Sequence, residues 1–176
     1  MPLYQIDPAH SGAAFKVRHM MIAHVKGEFT RISGTVNFDE ANPFNSTIDV
    51  SIDAASIHTR EEKRDEHLRS ADFFDVAKFP KITFVSKGIA ADGKDSYEVA
   101  GELTIHGVTN TVAFEVDSLT PEAKDPWGGF RRGASAEVTI NRKDFGLTYN
   151  APLEAGGWLI GDEVHITLDI ELVRQA

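Results

Sequence analysis

The sequence predicts an all-β protein with antiparallel strands and one inserted helix. Two observations carry this prediction. Apolar and polar residues alternate with a period of two along most of the chain. Short turn signals, Asp92-Gly93 and Gly107 to Asn110, join neighbouring alternating segments, as in antiparallel hairpins. Because no internal repeat, linker or change in composition divides the chain, residues 1–176 are expected to form one domain with a largely meandering sheet.

The strands are predicted segment by segment from this alternation. The last is the most regular, because apolar residues occupy the even positions from Val164 to Leu172 and polar residues the odd positions between them. Similar patterns, some less regular, cover residues 14–19, 25–38, 47–54, 81–87, 97–106, 112–117 and 130–140. The chain should therefore contain about eight strands, each with one apolar face. The glycines inside them would permit bulges or sharp bends that curl the sheet; these are Gly27, Gly34 and Gly101.

One helix is predicted over about residues 60–75. Thr59 and Glu62 have the spacing of a capping box, and Leu68, Ala71 and Phe74 follow at intervals of three before Pro80. The charged residues from Arg60 to Arg69 are expected to form its solvated face. The helix should lie over one end or one edge of the sheet.

The alternation leaves two architectures open. Strands with one apolar face bury it either against a second sheet or by closing into a barrel. A closed barrel of eight strands has an interior that side chains can just fill, or that can hold one small ligand.

Composition excludes several classes of function. The formal net charge of -9 makes the phosphate backbone of a nucleic acid an unfavourable partner. The chain contains no cysteine, which rules out disulfides, zinc–thiolate sites and thiol catalysis. The first residues, from Met1 to Asp7, lack the features of a signal peptide, and no run of about 18 apolar residues predicts a transmembrane segment. The sequence as written is therefore expected to be a soluble cytoplasmic protein, or a periplasmic one if a leader has been removed.

Several motifs, collinear over almost the whole chain, resemble the YceI-like family. They are Tyr4 to Ser11 with Phe15, Val17 and His19, Gly27-Glu28-Phe29 with Gly34, the run RDEHLRSADFFD at residues 64–75, FPKITFVS at 79–86, GELTIHGVT at 101–109, NRKDFG at 141–146 and Asp162-Glu163-Val164. The resemblance implies an antiparallel, eight-stranded, lipocalin-like barrel with a helical cap. It also implies a lumen that in several members holds a polyisoprenoid or another long-chain amphiphile. A homodimer is plausible from the family, and many of its members are exported.

The apolar strand faces supply the candidate ligand-binding residues. They are Phe15, Val17, Phe29, Val36, Phe38, Ile48, Val50, Ile52, Phe84, Leu103, Ile105, Phe114, Val138, Ile140, Phe145 and Ile166. The alternative is that these side chains pack against one another and fill the lumen.

Three polar residues are candidates for orienting a head group at the mouth of such a lumen. His19, Arg31 and Arg132 share the parity of neighbouring apolar residues, so each could face inward. The alternative for each is a solvated or hydrogen-bonded strand residue.

The sequence predicts neither a metal site nor an active site. His10, His19 and His24 match no zinc or facial-triad spacing. Asp7, His10 and Ser11 could imitate parts of a Ser-His-Asp system, but no nucleophile-elbow motif accompanies them. We therefore expect a protein that is not an enzyme and requires no cofactor.

Two functions compete at this stage. The first is transport or storage of a long-chain apolar ligand, such as a quinone or polyprenyl lipid, in the lumen. The second is a ligand-free interaction or structural barrel that acts by dimerising or binding a partner, and it requires a filled lumen. A third reading, an enzyme acting on a small apolar substrate, would need a convergent polar trio that the sequence does not offer.

Overall fold

The computed structural model describes all 176 residues. It contains twelve strands, one α-helix and three 3-10 helices. The strands are β1 (Leu3–Ile6), β2 (Gly12–His19), β3 (Ala23–Phe29), β4 (Ile32–Asn37), β5 (Thr47–Asp53), β6 (Ile57–His58), β7 (Lys81–Ala91), β8 (Tyr97–Ile105), β9 (Val108–Asp117), β10 (Ala123–Lys124), β11 (Phe130–Asn141) and β12 (Ile160–Arg174). The helix α1 spans Glu62–Arg69, and the 3-10 helices span Pro43–Asn45, Ala54–Ser56 and Arg142–Phe145. None of the helices combines the length and the apolarity needed to cross a bilayer.

The strands form a closed antiparallel barrel with eight strand positions. Three positions are each occupied by two consecutive strands, namely β1 with β2, β3 with β4, and β5 with β6. This continuity is visible on β12, whose residues 172–174 pair with β1 and whose residues 160–169 pair with β2. The other five positions are β7, β8, β9, β11 and β12, and β12 closes the ring against the first position. The prediction of an eight-stranded, lipocalin-like antiparallel barrel is confirmed, and the stacked-sheet alternative is wrong.

The eight junctions between neighbouring positions differ in length. β11 and β12 pair over eleven residues of each strand, whereas β9 and β11 pair over only three, Glu115–Asp117 with Ser135–Glu137. The junction between β9 and β11 is the shortest in the ring.

Most strand boundaries differ from the prediction by a few residues; β7, for example, extends to Ala91 and β12 already starts at Ile160. The alternating segment 25–38 is divided into β3 and β4 by Thr30 and Arg31, and β1 lies before the first predicted strand. The turn between β8 and β9 consists of His106 and Gly107, so residues 108–110 already belong to β9. Both turn residues have positive φ, 55° and 72°, as in the two-residue turns whose twist matches that of a hairpin.

The predicted bulge appears at one of the three strand glycines. The ladder between β7 and β8 shifts register between Ser86 and Gly88, opposite Gly101. A Cβ atom at Gly101 would lie 2.4 Å from the carbonyl oxygen of Val85, so only glycine fits there. The ladders run through Gly27 and Gly34 without a shift.

The helix is shorter than predicted and is capped by a different residue. The carboxylate of Glu61 accepts hydrogen bonds from the backbone N–H groups of Lys63 and Arg64, so Glu61 is the N-cap. The hydroxyl of Thr59 instead donates to the buried carboxylate of Asp65. Because the helix ends at Arg69, Ala71 falls in the following turn and is exposed rather than packed.

A cavity in the barrel interior

The barrel interior encloses a cavity of about 560 Å³. Of the 46 residues that line it, 38 are hydrophobic. Sites for small molecules commonly have volumes of about 300–1,000 Å³ and mostly apolar walls. The aromatic side chains of the interior pack along the wall, for example Phe84 against Phe114 with ring centroids 5.0 Å apart. The interior side chains therefore leave room for a ligand.

Sixteen of the nineteen residues selected from the sequence line this cavity. They are Phe15, Val17, His19, Phe29, Val36, Phe38, Ile48, Val50, Ile52, Phe84, Leu103, Ile105, Phe114, Arg132, Ile140 and Ile166. Strand parity thus identified most of the inward-facing positions, because side chains alternate between the two faces of a barrel wall.

The other three residues lie outside the cavity, and their selection was wrong in that respect. Arg31 lies in the two-residue turn between β3 and β4, which resets the parity; its side chain is 79% exposed and lies 3.6 Å from Asp53. Phe145 ends the last 3-10 helix, where its side chain is only 1% exposed and packs into the core. Val138 lies just beyond the short β9–β11 ladder and packs against the core without reaching the cavity.

The residues that close the helix end of the cavity were not predicted from the sequence. Leu68, Phe73 and Phe74 reach the cavity from α1 and the turn after it, and Leu147 and Tyr149 reach it from the irregular segment before β12. Strand parity could not identify these residues because none of them lies in a strand. The signal that could have found Phe73 and Phe74 is their place in the RDEHLRSADFFD motif.

Three aromatic rings meet at this end. The ring centroids of His67, Phe73 and Tyr149 lie 5.0 Å from one another in each pair. His67 Nε2 also lies 2.8 Å from a carboxylate oxygen of Asp72. The contacts join the helix to the 147–150 segment across the mouth of the cavity.

The opposite end is closed around Arg132. Its guanidinium lies over the rings of Phe38 and Tyr4, with its Cζ atom 5.2 Å and 6.0 Å from their centroids. Its Nε donates to the carbonyl oxygen of Thr120 at 3.1 Å, and its Nη2 lies 3.8 Å from the exposed carboxylate of Glu40. Arg132 is 8% exposed, so this end is a packed floor with its charge compensated.

A second buried arginine holds the segment that frames the mouth. Arg142 is 4% exposed, and its Nη1 donates to the carbonyl oxygens of Leu147 and Tyr149 at 2.6 and 2.9 Å. Its Nε donates to the carbonyl oxygen of Gly161 at 2.8 Å. Burial lowers the pKa of Arg142, and the nearby carboxylate of Asp162 partly opposes this effect. The guanidinium thus links the last 3-10 helix to the start of the irregular segment and to the first residues of β12.

The residues that imitate a catalytic triad lie outside the cavity and form an ion-pair network. Arg131 Nη1 lies 2.6 Å from Asp7 and 2.7 Å from Glu171, and its Nε lies 2.9 Å from Asp125. His10 Nδ1 lies 2.9 Å from Asp7. The hydrogen bonds from His10 and Arg131 lower the pKa of Asp7 to about 2, and the bond to Asp7 raises the pKa of His10.

The roles of these groups are structural in the geometry observed. Ser11 Oγ accepts a hydrogen bond from the backbone N–H of Glu171 at 2.9 Å. Asp7, His10 and Glu171 each offer a potential metal ligand within 4.8 Å of the others, but the guanidinium of Arg131 already donates to both carboxylates.

Comparison with known proteins places the chain in a family. The YceI-like domain matches residues 4–172. The chain is 37% identical over 174 residues to Protein YceI of Salmonella newport, covering 98% of this chain and 87% of that protein. Its fold is similar to the crystal structure of Burkholderia cenocepacia BcnA, with a TM-score of 0.81 and 26% identity over 94% of this chain and 98% of that one.

A second solved structure shares the fold at lower sequence similarity. It is a polyisoprenoid binding domain from Saccharophagus degradans, with a TM-score of 0.71, 16% identity and 98% of each chain covered. The domain match, the sequence relative and the barrel geometry agree with the motifs in the sequence. The chain belongs to the YceI-like family.

Proposed function

We propose that this protein binds a long-chain apolar molecule, a polyisoprenoid such as a quinone or polyprenyl lipid, in the barrel lumen. It carries or stores this ligand and does not transform it. The observation that carries the proposal is the cavity of about 560 Å³, of whose 46 lining residues 38 are hydrophobic. A wall of this composition favours a ligand recognised mainly by burial of its hydrocarbon surface.

The burial of a few prenyl units supplies enough free energy for such binding. Each buried five-carbon prenyl unit contributes about 4 kcal/mol before ordering costs. Micromolar affinity requires about 8 kcal/mol, so a few buried units suffice. Because affinity is easily reached, preference among chain lengths should come from the length of the lumen.

Two comparisons support the proposal. The similar domain from Saccharophagus degradans is described as polyisoprenoid binding, and it has the same barrel fold. The family match extends over residues 4–172, which include the whole cavity wall.

A binding role without catalysis also agrees with the polar groups of the cavity. Arg142 is bonded to backbone carbonyl oxygens, Arg132 is packed into the floor, and His67 is paired with Asp72. No carboxylate lines the cavity to act as a general base or nucleophile. The alternative of a ligand-free interaction barrel requires a filled lumen, and the cavity of about 560 Å³ favours the ligand-binding function over it. A homodimer stays a prediction.

Analysis of bound lipids tests the proposal directly. We expect native mass spectrometry and organic extraction of freshly purified protein to reveal a long-chain molecule in the lumen. After delipidation, the protein should bind geranylgeraniol, as measured by calorimetry. The proposal is wrong if nothing copurifies and the delipidated protein fails to bind this C20 alcohol.

A further inference from the structure

The charged side chains of the cavity wall are all of one sign. Its eight polar residues include four arginines and two histidines but no aspartate or glutamate; they are Arg18, His19, Arg64, His67, Thr83, Arg132, Ser135 and Arg142. The whole chain has 27 acidic and 18 basic residues, so the lining reverses the balance of the protein. A ligand recognised only through its hydrocarbon tail would not require this reversal.

Most of these basic groups belong to the helix end of the barrel. Arg18 and His19 end strand β2, where His19 pairs with Ile160 at the start of β12. Arg64 and His67 project from α1, which covers the same end. Only Arg132 lies at the far end, where it forms the floor.

Two of these arginines have no carboxylate oxygen within 4.0 Å. Six of the nine arginines in the protein lie within 4.0 Å of an aspartate or glutamate oxygen. The three that do not are Arg18, Arg60 and Arg64, and two of these three, Arg18 and Arg64, line the cavity.

Hydrogen bonds to nearby oxygens hold both arginines in place. Arg64 Nε and Nη2 donate to the hydroxyl and carbonyl oxygens of Thr59 at 2.8 and 2.6 Å. Arg18 Nη1 donates to the carbonyl oxygen of Met21 at 3.2 Å. Neutral acceptors thus fix both side chains. The hydroxyl of Thr59 also donates to the buried carboxylate of Asp65, so part of the charge of Arg64 is balanced through Thr59. Arg18, in contrast, has a backbone carbonyl oxygen as its acceptor.

We propose that the helix-end mouth binds an anionic head group, a phosphate or carboxylate, of the amphiphile whose tail occupies the lumen. This inference rests on the proposed function. Arg64 and Arg18 supply the positive charge, and His19 supplies a further polar contact. A guanidinium matches the geometry of phosphate and carboxylate oxygens, and its bonds to anions are stronger than bonds between neutral groups.

The far end does not offer an equivalent site. Arg132 is covered by the rings of Phe38 and Tyr4 and is already within 3.8 Å of Glu40. The tail of the ligand therefore extends from the mouth toward Arg132.

Three ligands with the same C20 tail separate head-group recognition from tail burial. They are geranylgeranyl phosphate, geranylgeranic acid and geranylgeraniol, each titrated into the delipidated full-length protein. We expect the phosphate, the acid or both to bind about tenfold or more tightly than the alcohol, since a hydrogen bond to a charged group contributes about 1.5–3 kcal/mol. Comparison of the phosphate with the acid shows which anion the mouth prefers.

Substitutions at the mouth locate the effect. Arg64→Gln should weaken binding of the preferred anion by about tenfold and leave binding of the alcohol unchanged within about twofold. Arg18→Gln is a second variant, because Arg64 also bonds to Thr59 and its loss could disturb the helix. Arg60→Gln is the matched control: Arg60 is exposed, has no carboxylate partner and does not line the cavity. It should bind all three ligands like the wild type.

The outcomes distinguish this inference from the proposed function. Equal affinity for all three ligands, or equal losses for anion and alcohol in both mouth variants, would overturn the head-group inference alone. Failure of all three ligands to bind would overturn the proposed function itself. Anion affinity that falls as salt concentration rises, with alcohol affinity constant, would support the head-group inference further.

Discussion

The ring of Phe15 lies against the backbone of Gly27, its partner in the β2–β3 ladder, so closely that a Cβ atom at residue 27 would be 2.5 Å from Phe15 Cζ. Both residues belong to the barrel wall, and Phe15 also packs against Phe29 with ring centroids 5.7 Å apart. The missing side chain at Gly27 lets the ring lie along the wall. The lumen beside it consequently remains open.

Gly27→Ala should therefore disturb both packing and binding. The added methyl group forces the ring of Phe15 toward the lumen, and we expect the free energy of unfolding to fall by about 1–3 kcal/mol. Urea denaturation measures the stability. Titration with geranylgeraniol measures how much affinity is lost because the lumen is narrower. Gly12→Ala is the control, since a Cβ atom there meets nothing within 4 Å. Equal stability and binding in the two variants would contradict this account of the wall.

Filling the lumen should abolish ligand binding without unfolding the barrel. Ala136 faces the cavity from β11, and a phenylalanine there would occupy space needed by the tail. We expect Ala136→Phe to weaken geranylgeraniol binding by about tenfold or more, because the excluded tail no longer buries its surface. Glu137→Phe, at the exposed neighbouring position, is the control and should bind normally. Wild-type affinity in the Ala136 variant would place the ligand outside the lumen.

Arg142 should be among the residues most important for stability. Arg142→Met leaves the carbonyl oxygens of Leu147, Tyr149 and Gly161 without their donor, and we expect a loss of about 3 kcal/mol in urea denaturation. Lysine should recover little, because one ammonium group cannot reproduce the fork of a guanidinium. The neighbouring Lys143 makes a half-exposed ion pair with Asp162, so Lys143→Met should cost less than about 1 kcal/mol. Similar losses of stability in the Arg142 and Lys143 variants would contradict this role of Arg142.

The network around Arg131 predicts how stability responds to acid. The pKa of Asp7 is lowered from 3.8 to about 2 in the folded protein, so the unfolded chain takes up this proton first as the pH falls. The stabilisation from Asp7 is present above about pH 4 and is lost progressively toward pH 2. Asp7→Asn should therefore flatten the decline of Tm over this range. A residual slope will remain, because the pKa values of Asp39 and Asp125 are also lowered.

The comparison for this prediction is the difference in Tm between wild type and variant. That difference should be constant above pH 4 up to about pH 5 and should shrink below pH 4. If the Tm curves of wild type and variant stay parallel from pH 5 to pH 2, the ionised Asp7 carboxylate is no better stabilised in the folded protein than in the unfolded chain. Geranylgeraniol binding at pH 7 should be unchanged, since Asp7 does not line the cavity.

The strand faces were predictable because their information is local. In β5, for example, Ile48, Val50 and Ile52 alternate with polar residues, and all three line the cavity. Arg31 shows where this reasoning ends. The apolar positions are odd up to Phe29 and even from Ile32 onward, and Arg31 shares the odd parity that ends at Phe29. In the structure Thr30 and Arg31 connect β3 to β4, the parity changes at this connection, and the side chain of Arg31 is exposed.

The closure of the helix end of the barrel was harder to predict from the sequence. In the sequence Arg142 resembles an exposed charge after a strand, because its backbone acceptors lie 5 to 19 residues further along the chain. Thr59 has the spacing of a helix cap, but the buried carboxylate of Asp65 binds its hydroxyl and Glu61 takes the capping role. In each case the hydrogen-bond partner in the structure differs from the one that the local sequence pattern suggests.

The short ladder between β9 and β11 has a mechanical consequence. Three residue pairs join these strands, whereas every other seam of the ring is longer. Fewer backbone hydrogen bonds must break to separate these two strands than to separate any other pair of neighbours in the barrel. Breathing of the closed ring would start at this seam, and amide protons on its flanks should exchange before those of the eleven-pair seam between β11 and β12.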